Sequence, residues 1–277
     1  MRLQLAFFAA AAVACSASAA GAASVDIRDA VARVTVVPED RADIKVEIIA
    51  PNARLPLSVR TFGDQTIVDG DLHHRIRNCN GSGEHARIRV RDVGEVRYAD
   101  MPQIVVHTPR AVVVSANGAV QGAVGRSGSL DLHDSGCSAW TVADVAGAAR
   151  IQSSGAGSVR MGQSSRLDIQ LSGAANIHAT RVREALDARL SGAGNVRVDE
   201  VSGEMDARVS GVGSIQVANG RDTAVRASVS GVGGVEFGGV ASSLQASVSG
   251  MGHIEVKQVN GPVSKSVSGI GHVTIGD

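Results

Sequence analysis

A motif of the form Ser-Gly-x-Gly-x-[Val/Ile] returns along the C-terminal half of this chain at intervals of 18 to 20 residues. Each copy opens with a serine followed by glycine, and these serines are Ser135, Ser154, Ser172, Ser191, Ser210, Ser230, Ser249 and Ser268. Self-similarity at a short fixed period is typical of stacked folds, in which each unit buries its apolar face only against its neighbours. No other feature of the sequence constrains the fold as strongly.

The residues around each serine alternate between apolar and polar. Apolar residues stand five and one before the serine and five and seven after it, as at Leu186, Leu190, Val196 and Val198 around Ser191. Alternation with period two predicts strands that bury one face, whereas interior glycines at about 1 kcal/mol each disfavour helix. The sequence predicts an all-β chain folded as a parallel β-solenoid of about nine 19-residue coils, with Ser115 opening a decayed first coil.

The second motif position is always glycine. We predict structural turn glycines here, held at corners that need positive φ. They are Gly155, Gly173, Gly192, Gly211, Gly231, Gly250 and Gly269.

Three regions follow from composition. Residues 1–24 read as a signal peptide, with Arg2 before a short apolar run and small residues at Ala17-Ser18-Ala19. Residues 25–110 lack the repeat and read as an N-terminal β-rich region that either lengthens or caps the solenoid. Residues 111–277 form the repeat β-solenoid. The protein is therefore predicted to be exported to the periplasm or cell envelope.

The signal region allows a second interpretation. Ala12-Val13-Ala14-Cys15 is similar to a bacterial lipobox, in which Cys15 would be lipidated and would tether the protein to a membrane. We expect membrane contact only through such an anchor. Lysine plus arginine equals aspartate plus glutamate at 27 each, so no net field favours nucleic acid as a partner.

Two further cysteines, Cys79 and Cys137, leave two alternatives. They could form a disulfide between the N-terminal region and an early coil, since exported proteins meet an oxidising compartment. Alternatively, Cys137 is a small buried apolar residue, because other coils carry Ala156, Val212, Met251 or Ile270 at its position.

The organisation of the chain resembles the bacterial head GIN domain family, whose members are named as auto-transporter adhesins. The likeness rests on an irregular β region, a bridging strand over residues 101–114 and the tandem Ser-Gly-x-Gly-x-Val coils, and covers the chain from about residue 25 to its end. It implies a β-solenoid outside the cytoplasm, often tethered by lipid, with no catalytic residues to carry over.

No catalytic, cofactor-binding or metal-binding residue is predicted. The Gly-x-Gly pairs lack the third glycine of a dinucleotide loop. His253 and His272 are expected to stack on consecutive coils as part of an outward polar ladder. The densest group of potential ligands has no recognised zinc spacing, and consists of Asp71, His73, His74, Cys79, Glu84 and His85.

These observations predict a non-enzymatic exported β-solenoid that acts as an adhesin-like or scaffold protein at the cell envelope. Its partner is an unknown envelope component, or a second copy that pairs through an uncapped C-terminal coil. The alternative is a carbohydrate-binding or carbohydrate-active β-helix protein. The scarcity of aromatic residues, 2% of the chain, disfavours that alternative.

Overall fold

A computed structural model of the chain describes residues 22–276. Twenty strands and three short 3₁₀ helices make up its regular structure. The helices are His73–Arg75, Gly83–His85 and Tyr98–Asp100. The strands are β1 (Ser24–Glu39), β2 (Lys45–Ala50), β3 (Ser58–Phe62), β4 (Gln65–Asp69), β5 (Ile76–Asn80), β6 (Arg87–Val90), β7 (Gly94–Arg97), β8 (Gln103–Pro109), β9 (Ala111–Val124), β10 (Ser129–Asp134), β11 (Cys137–Val142), β12 (Ala148–Ser153), β13 (Ala156–Leu171), β14 (Ala174–Leu190), β15 (Ala193–Val209), β16 (Val212–Val229), β17 (Val232–Val248), β18 (Met251–Val259), β19 (Val263–Val267) and β20 (His272–Ile275).

The repeat folds as predicted, into a parallel β-solenoid of about nine coils. From β9 onward each coil pairs in parallel with the next, and the register between coils follows the sequence period. Ile177 pairs with Val196, Val196 with Ile215 and Ile215 with Val235. Equivalent residues therefore stack at the spacing of neighbouring strands, about 4.8 Å.

The core is the interior of the coils. The apolar columns predicted from the sequence are buried throughout the middle of the stack, with Leu186, Ala207 and Val196 each 1% exposed or less. A further inward column, ten residues after the corner serine, holds Val145, Ser164, Val182 and Val201, all at 0% exposure. The alternation around the corner serine does not predict this column.

The two largest core side chains fit because glycine faces them. Trp140 and Phe237 are each 1% exposed. A Cβ added at Gly122 would meet the Trp140 ring, and one added at Gly220 would meet the Phe237 ring. Each aromatic ring thus fills the space that a side chain on the preceding coil would need.

The first repeat coil has a different register from the one predicted. We expected Ser115 to align with Ser135, but β9 pairs Ser115 with His133 and Ala116 with Asp134. The reason is the glycine column, because this register places Gly136 directly over Gly118, and a Cβ on Gly136 would meet the Gly118 carbonyl oxygen.

The segment before residue 111 contributes both to the stack and to its surroundings. β1 pairs in parallel with β9 and forms one more layer. β4 and β8 pair in parallel with β1 on its other edge. β3 and β2 then add to them in antiparallel fashion.

A small antiparallel sheet of β5, β6 and β7 lies beside this end. Its own core includes Leu72, Ile88 and Val90, packed with Val31 of β1 and Ala119 of β9. The sheet therefore rests on the outer side of the first layers of the solenoid.

At the other end, β19 is exposed, whereas Val273 and Ile275 of β20 are half-buried against the core. Within residues 22–276, β19 pairs with β17 and β20 with β18. Val263 and Val267 are 43% and 46% exposed, and Lys265 pairs with Ala246 in a column that holds alanine in the four preceding coils. A charge thus stands at the strand edge, an arrangement that hinders pairing with another chain.

Candidate interaction surface

A line of exposed apolar side chains runs along one corner of the solenoid. Val212, Val232, Met251 and Ile270 are 59%, 45%, 61% and 85% exposed. They occupy the same motif position, two residues after the corner serine, on four consecutive coils, and Val232 pairs in register with Val212 and Met251. We call these four residues the apolar ridge.

The ridge protrudes because its neighbours along the chain are glycines. Each ridge residue has glycine on both sides, as in Gly211-Val212-Gly213. The backbone N–H of Val212 donates to the Gly192 carbonyl at 2.9 Å, and that of Val232 donates to the Gly211 carbonyl at 3.0 Å. The corner backbone is therefore fixed, while its side chains project outward.

The turn glycines owe their position to stacking rather than to backbone dihedral angle. We predicted positive φ, but none of the seven is among the described residues with positive φ. Instead, a Cβ on each would lie closer than 3.0 Å to the carbonyl oxygen of the equivalent glycine one coil earlier, as between Gly211 and Gly192. The physical reason is steric, because the close approach of two corners leaves no space for a side chain.

Of the two alternatives for Cys137, the structure holds the disulfide. Cys137 is half-buried beside the core of the small sheet, whereas the equivalent Ala156 is exposed. In the structure Cys137 is bonded to Cys79, with a Cα–Cα distance of 6.1 Å. The disulfide joins β5 to the first residue of β11 and holds the small sheet against the solenoid.

Polar side chains form a second ladder beside the ridge. Asn195 Nδ2 donates to Asn176 Oδ1 at 3.1 Å, and Ser214 Oγ donates to Asn195 Oδ1 at 3.0 Å. Farther along, the rings of His253 and His272 stack with their centroids 5.8 Å apart. Gly234 lies under the His253 ring, where a Cβ would not fit.

The residues singled out as potential ligands do not converge on a metal site. In the N-terminal loop, His73 contacts Asp29 and Asp71 at 2.9 and 3.2 Å, while Cys79 is in the disulfide. Across residues 22–276 no group of three or more His, Cys, Asp or Glu side chains is arranged to hold a metal ion. Cys15 lies outside the described residues.

A different outward face carries charges. Asp168, Asp187 and Asp206 stack on consecutive coils. Arg189 contacts Asp187 and Arg208 contacts Asp206, each at 2.5 Å. Burial raises the pKa of Asp187, Arg189 opposes this rise, and the neighbouring Asp206 adds to it. Asp187 and Asp206 are thus each paired with an arginine of the same coil.

A shallow polar groove of about 440 Å³ lies on the early coils. Serine, asparagine and glutamine side chains dominate its lining, including Ser115 and Gln152, and Asp26, His133 and Asp134 also contribute. The uncharged side chains can form hydrogen bonds to neutral polar ligands.

Asp134 is the most perturbed acid near this groove. It is 3% exposed, and burial raises its pKa to about 6. Asp134 Oδ1, Ser138 Oγ and Ser153 Oγ are buried with no hydrogen-bond partner among the described residues. Asp134 was not singled out from the sequence, although it is the only acid at its motif position among the repeats.

The sequence contained the signal for the ridge. From five residues before the corner serine to seven after it, buried side chains fall an odd number of residues from the serine, whereas the ridge position is even and therefore faces outward. That position also changes along the chain, from alanine at Ala156, Ala174 and Ala193 to larger residues from Val212 onward.

These features define the protein as a parallel β-solenoid with one apolar corner. No family model matches the sequence, and no curated protein matches it. A crystal structure at 1.95 Å of a protein from Clostridium sporogenes ATCC 15579, described as a "putative cell adhesion protein", is similar at 10% identity over 92% of this chain and 93% of that one, with a TM-score of 0.23. A likeness this weak carries no argument, and membership of the head GIN family stays a prediction. No helix among the described residues has the length and apolar character needed to cross a membrane.

Proposed function

We propose that this protein is a non-enzymatic, adhesin-like binding protein of the cell envelope and that the apolar ridge is its contact surface. The observation that carries the proposal is the exposure of the four ridge side chains, 45% to 85%, in one continuous line. Isolated exposed apolar residues are common on proteins, but contiguous ones mark interaction sites.

Binding rather than catalysis agrees with the state of the acidic groups. The stacked Asp187 and Asp206 are each paired with an arginine on the same coil. Asp134, whose pKa is raised to about 6, is almost completely buried. A general acid or base must reach the substrate proton within hydrogen-bonding distance, which a buried carboxyl cannot do without movement of the coil.

Export is part of the proposal. The predicted signal segment supports it, and so does the disulfide between Cys79 and Cys137, because such bonds persist mainly in oxidising compartments. Mass spectrometry of the mature N-terminus from the native host tests it. A diacylated Cys15 would indicate a lipid-anchored protein, a start near Ala20 would indicate a free one, and an intact N-terminus would contradict export.

The contact surface is tested by measuring how much purified protein adheres to isolated cell envelopes. The variant Val212→Ser/Val232→Ser/Met251→Ser/Ile270→Ser removes the ridge while leaving the buried columns unchanged. A matched control, Ile49→Ser/Val59→Ser, removes apolar side chains that are 55% and 40% exposed away from the ridge. We expect adhesion of the wild type and the control, and loss of adhesion in the ridge variant. Equal adhesion of all three would refute the proposal.

Pairing of C-terminal coils end to end is the less favoured mode of contact. Lys265 stands at the edge of β19, so two such ends would bring like charges together. If Lys265→Glu lost adhesion although its ridge is intact, the contact surface would lie at the C-terminal end rather than at the ridge.

Carbohydrate binding is the alternative function, and the polar groove of about 440 Å³ is the observation that favours it. A glycan array separates the two functions. Binding to defined glycans that is retained in the ridge variant and lost in Gln152→Ala would support the groove over the ridge.

A further inference from the structure

We propose that the apolar ridge binds the ridge of a second copy of this chain, so that two solenoids lie side by side and antiparallel. The inference rests on the proposed function, since it names the partner of the same surface. The spacing of the ridge, the absence of charge beside it and its two-fold symmetry point to an identical surface as the partner.

The spacing of the ridge side chains favours a second copy of the chain as the partner. The ridge side chains follow each other at the strand spacing of the solenoid, about 4.8 Å, and the in-register pairing of Val212, Val232 and Met251 keeps them in line. Side chains of two such rows interdigitate along their whole length only if both rows have the same period. A second copy supplies that period.

The absence of charged residues beside the ridge also favours a second copy as the partner. The motif positions on either side of the ridge hold serine and glycine in every ridge coil, from Ser210-Gly211-Val212-Gly213 to Ser268-Gly269-Ile270-Gly271. Two copies can therefore approach without placing like charges opposite each other along the ridge. The glycines also allow close approach, because they carry no side chain and the exposed corner serines are small.

Symmetry specifies which residues meet. A two-fold axis between Val232 and Met251 makes the interface isologous, so each contact occurs twice. Val232 then packs beside Met251 of the partner, and Val212 beside Ile270 of the partner. The smaller valines at one end of the ridge thus face the larger residues at the other.

Size sets the expected strength. A standard interface buries about 800 Å² per partner, more than four side chains supply. The contact is therefore weak in dilute solution, and becomes effective when molecules are concentrated on one surface or on two apposed surfaces.

Sedimentation velocity of the full mature chain over a wide range of concentration is the first test. We expect a reversible monomer–dimer equilibrium for the wild type and for Ile49→Ser/Val59→Ser. Val232→Ser/Met251→Ser should weaken dimerisation about tenfold or more, because burial of these side chains supplies most of the contact energy. A wild type that stays monomeric at every concentration, or a dimer lost only in the control variant, would overturn the proposal.

Cross-linking tests the arrangement. Val232→Cys and Met251→Cys are prepared separately, mixed and oxidised. We expect a cross-linked dimer mainly in the mixture, because position 232 faces position 251 of the partner. Efficient cross-linking of Val232→Cys with itself would contradict the antiparallel arrangement.

Adhesion to envelopes and self-association are measured separately, so the adhesin-like function and the self-docking can be tested independently. If the wild type is monomeric while the ridge variant loses adhesion to envelopes, the ridge binds another partner and only the self-docking proposal falls. If the wild type dimerises through the ridge but does not adhere, the adhesin-like function falls and self-docking stands.

Discussion

At the scale of single residues, Asp134 is a carboxyl group enclosed in the core of the solenoid. Its position one residue before the corner serine holds leucine or valine in the coils from Leu171 onward. Charging a buried group without a partner is costly, so the group resists ionisation. This explains why its pKa rises from 3.8 to about 6.

Replacing Asp134 with asparagine should remove a pH-dependent loss of stability. Because the pKa is higher in the folded state, the aspartate favours folding most below pH 3.8, and this contribution is lost as the pH rises through about 6. We expect Asp134→Asn to be more stable than the wild type at pH 8, by up to about 3 kcal/mol. Urea denaturation of both proteins between pH 4 and 8 measures the difference.

The test of the raised pKa is how the stability difference between Asp134→Asn and the wild type changes with pH. Carboxyl groups whose pKa values are lowered by ion pairs, such as Asp40 beside Arg110, are present in both proteins and cancel. A constant difference between the two proteins across the pH range would contradict a raised pKa at Asp134.

The corner glycines provide a second prediction at this scale. Gly211→Ala should destabilise the protein by roughly 1–3 kcal/mol, because the new Cβ would press on the Gly192 carbonyl oxygen of the preceding coil. Val212→Ala, one residue away but exposed, should change the free energy of unfolding little. Chemical denaturation measures both, and equal effects would mean that the corners are not close-packed.

At the scale of elements, the strands of the repeat were predictable and the N-terminal region was not. Each repeat strand contacts a copy of itself about 19 residues away, so alternation and period together fix its face and register. β1 instead pairs with β4, β8 and β9, up to about 90 residues distant, and no local pattern encodes those partners.

Two features of the repeat also escaped prediction. The inward column ten residues after the corner serine lies near the irregular pairing between Ser164 and Arg166, where the alternation is interrupted. The exposure of the ridge differs from the interpretation of its position as buried, because Val212, Met251 and Ile270 are apolar although they lie on the outward side of the alternation. The sequence left the disulfide between Cys79 and Cys137 as one of two alternatives. It did not predict that Ser138 and Ser153 lie near Asp134, because their proximity depends on how the coils stack.

Removal of the disulfide should loosen the small sheet of β5, β6 and β7 without loosening the solenoid. Cys79 and Cys137 are 58 residues apart, and cross-links over loops of this length stabilise proteins by up to about 4 kcal/mol in the chain-entropy model. We expect Cys79→Ser to increase hydrogen exchange mainly in β5, β6 and β7, while β14 to β17 stay protected. Uniform loss of protection would show that the small sheet and the solenoid unfold as one unit.

At the scale of the whole molecule, the solenoid acts as a rigid support for one apolar line. Regular stacking brings four residues that are about 19 positions apart in the chain into a continuous surface. Their exposure is unfavourable for an isolated molecule, because apolar surface in water carries a cost that binding would remove. The proposed function and the self-docking both require that the ridge becomes covered when the protein is in contact with its partner.

Oxidation of methionine tests this claim most directly. Met251 is 61% exposed, whereas Met101, Met161 and Met205 are 2%, 3% and 1% exposed and serve as internal controls. Oxidation follows exposure, so mass spectrometry of the free protein should find Met251 oxidised first. On isolated envelopes, or at concentrations where the protein self-associates, oxidation of Met251 should slow while the three buried methionines are unchanged. Oxidation of Met251 at the same rate in the free and the bound protein would contradict the account.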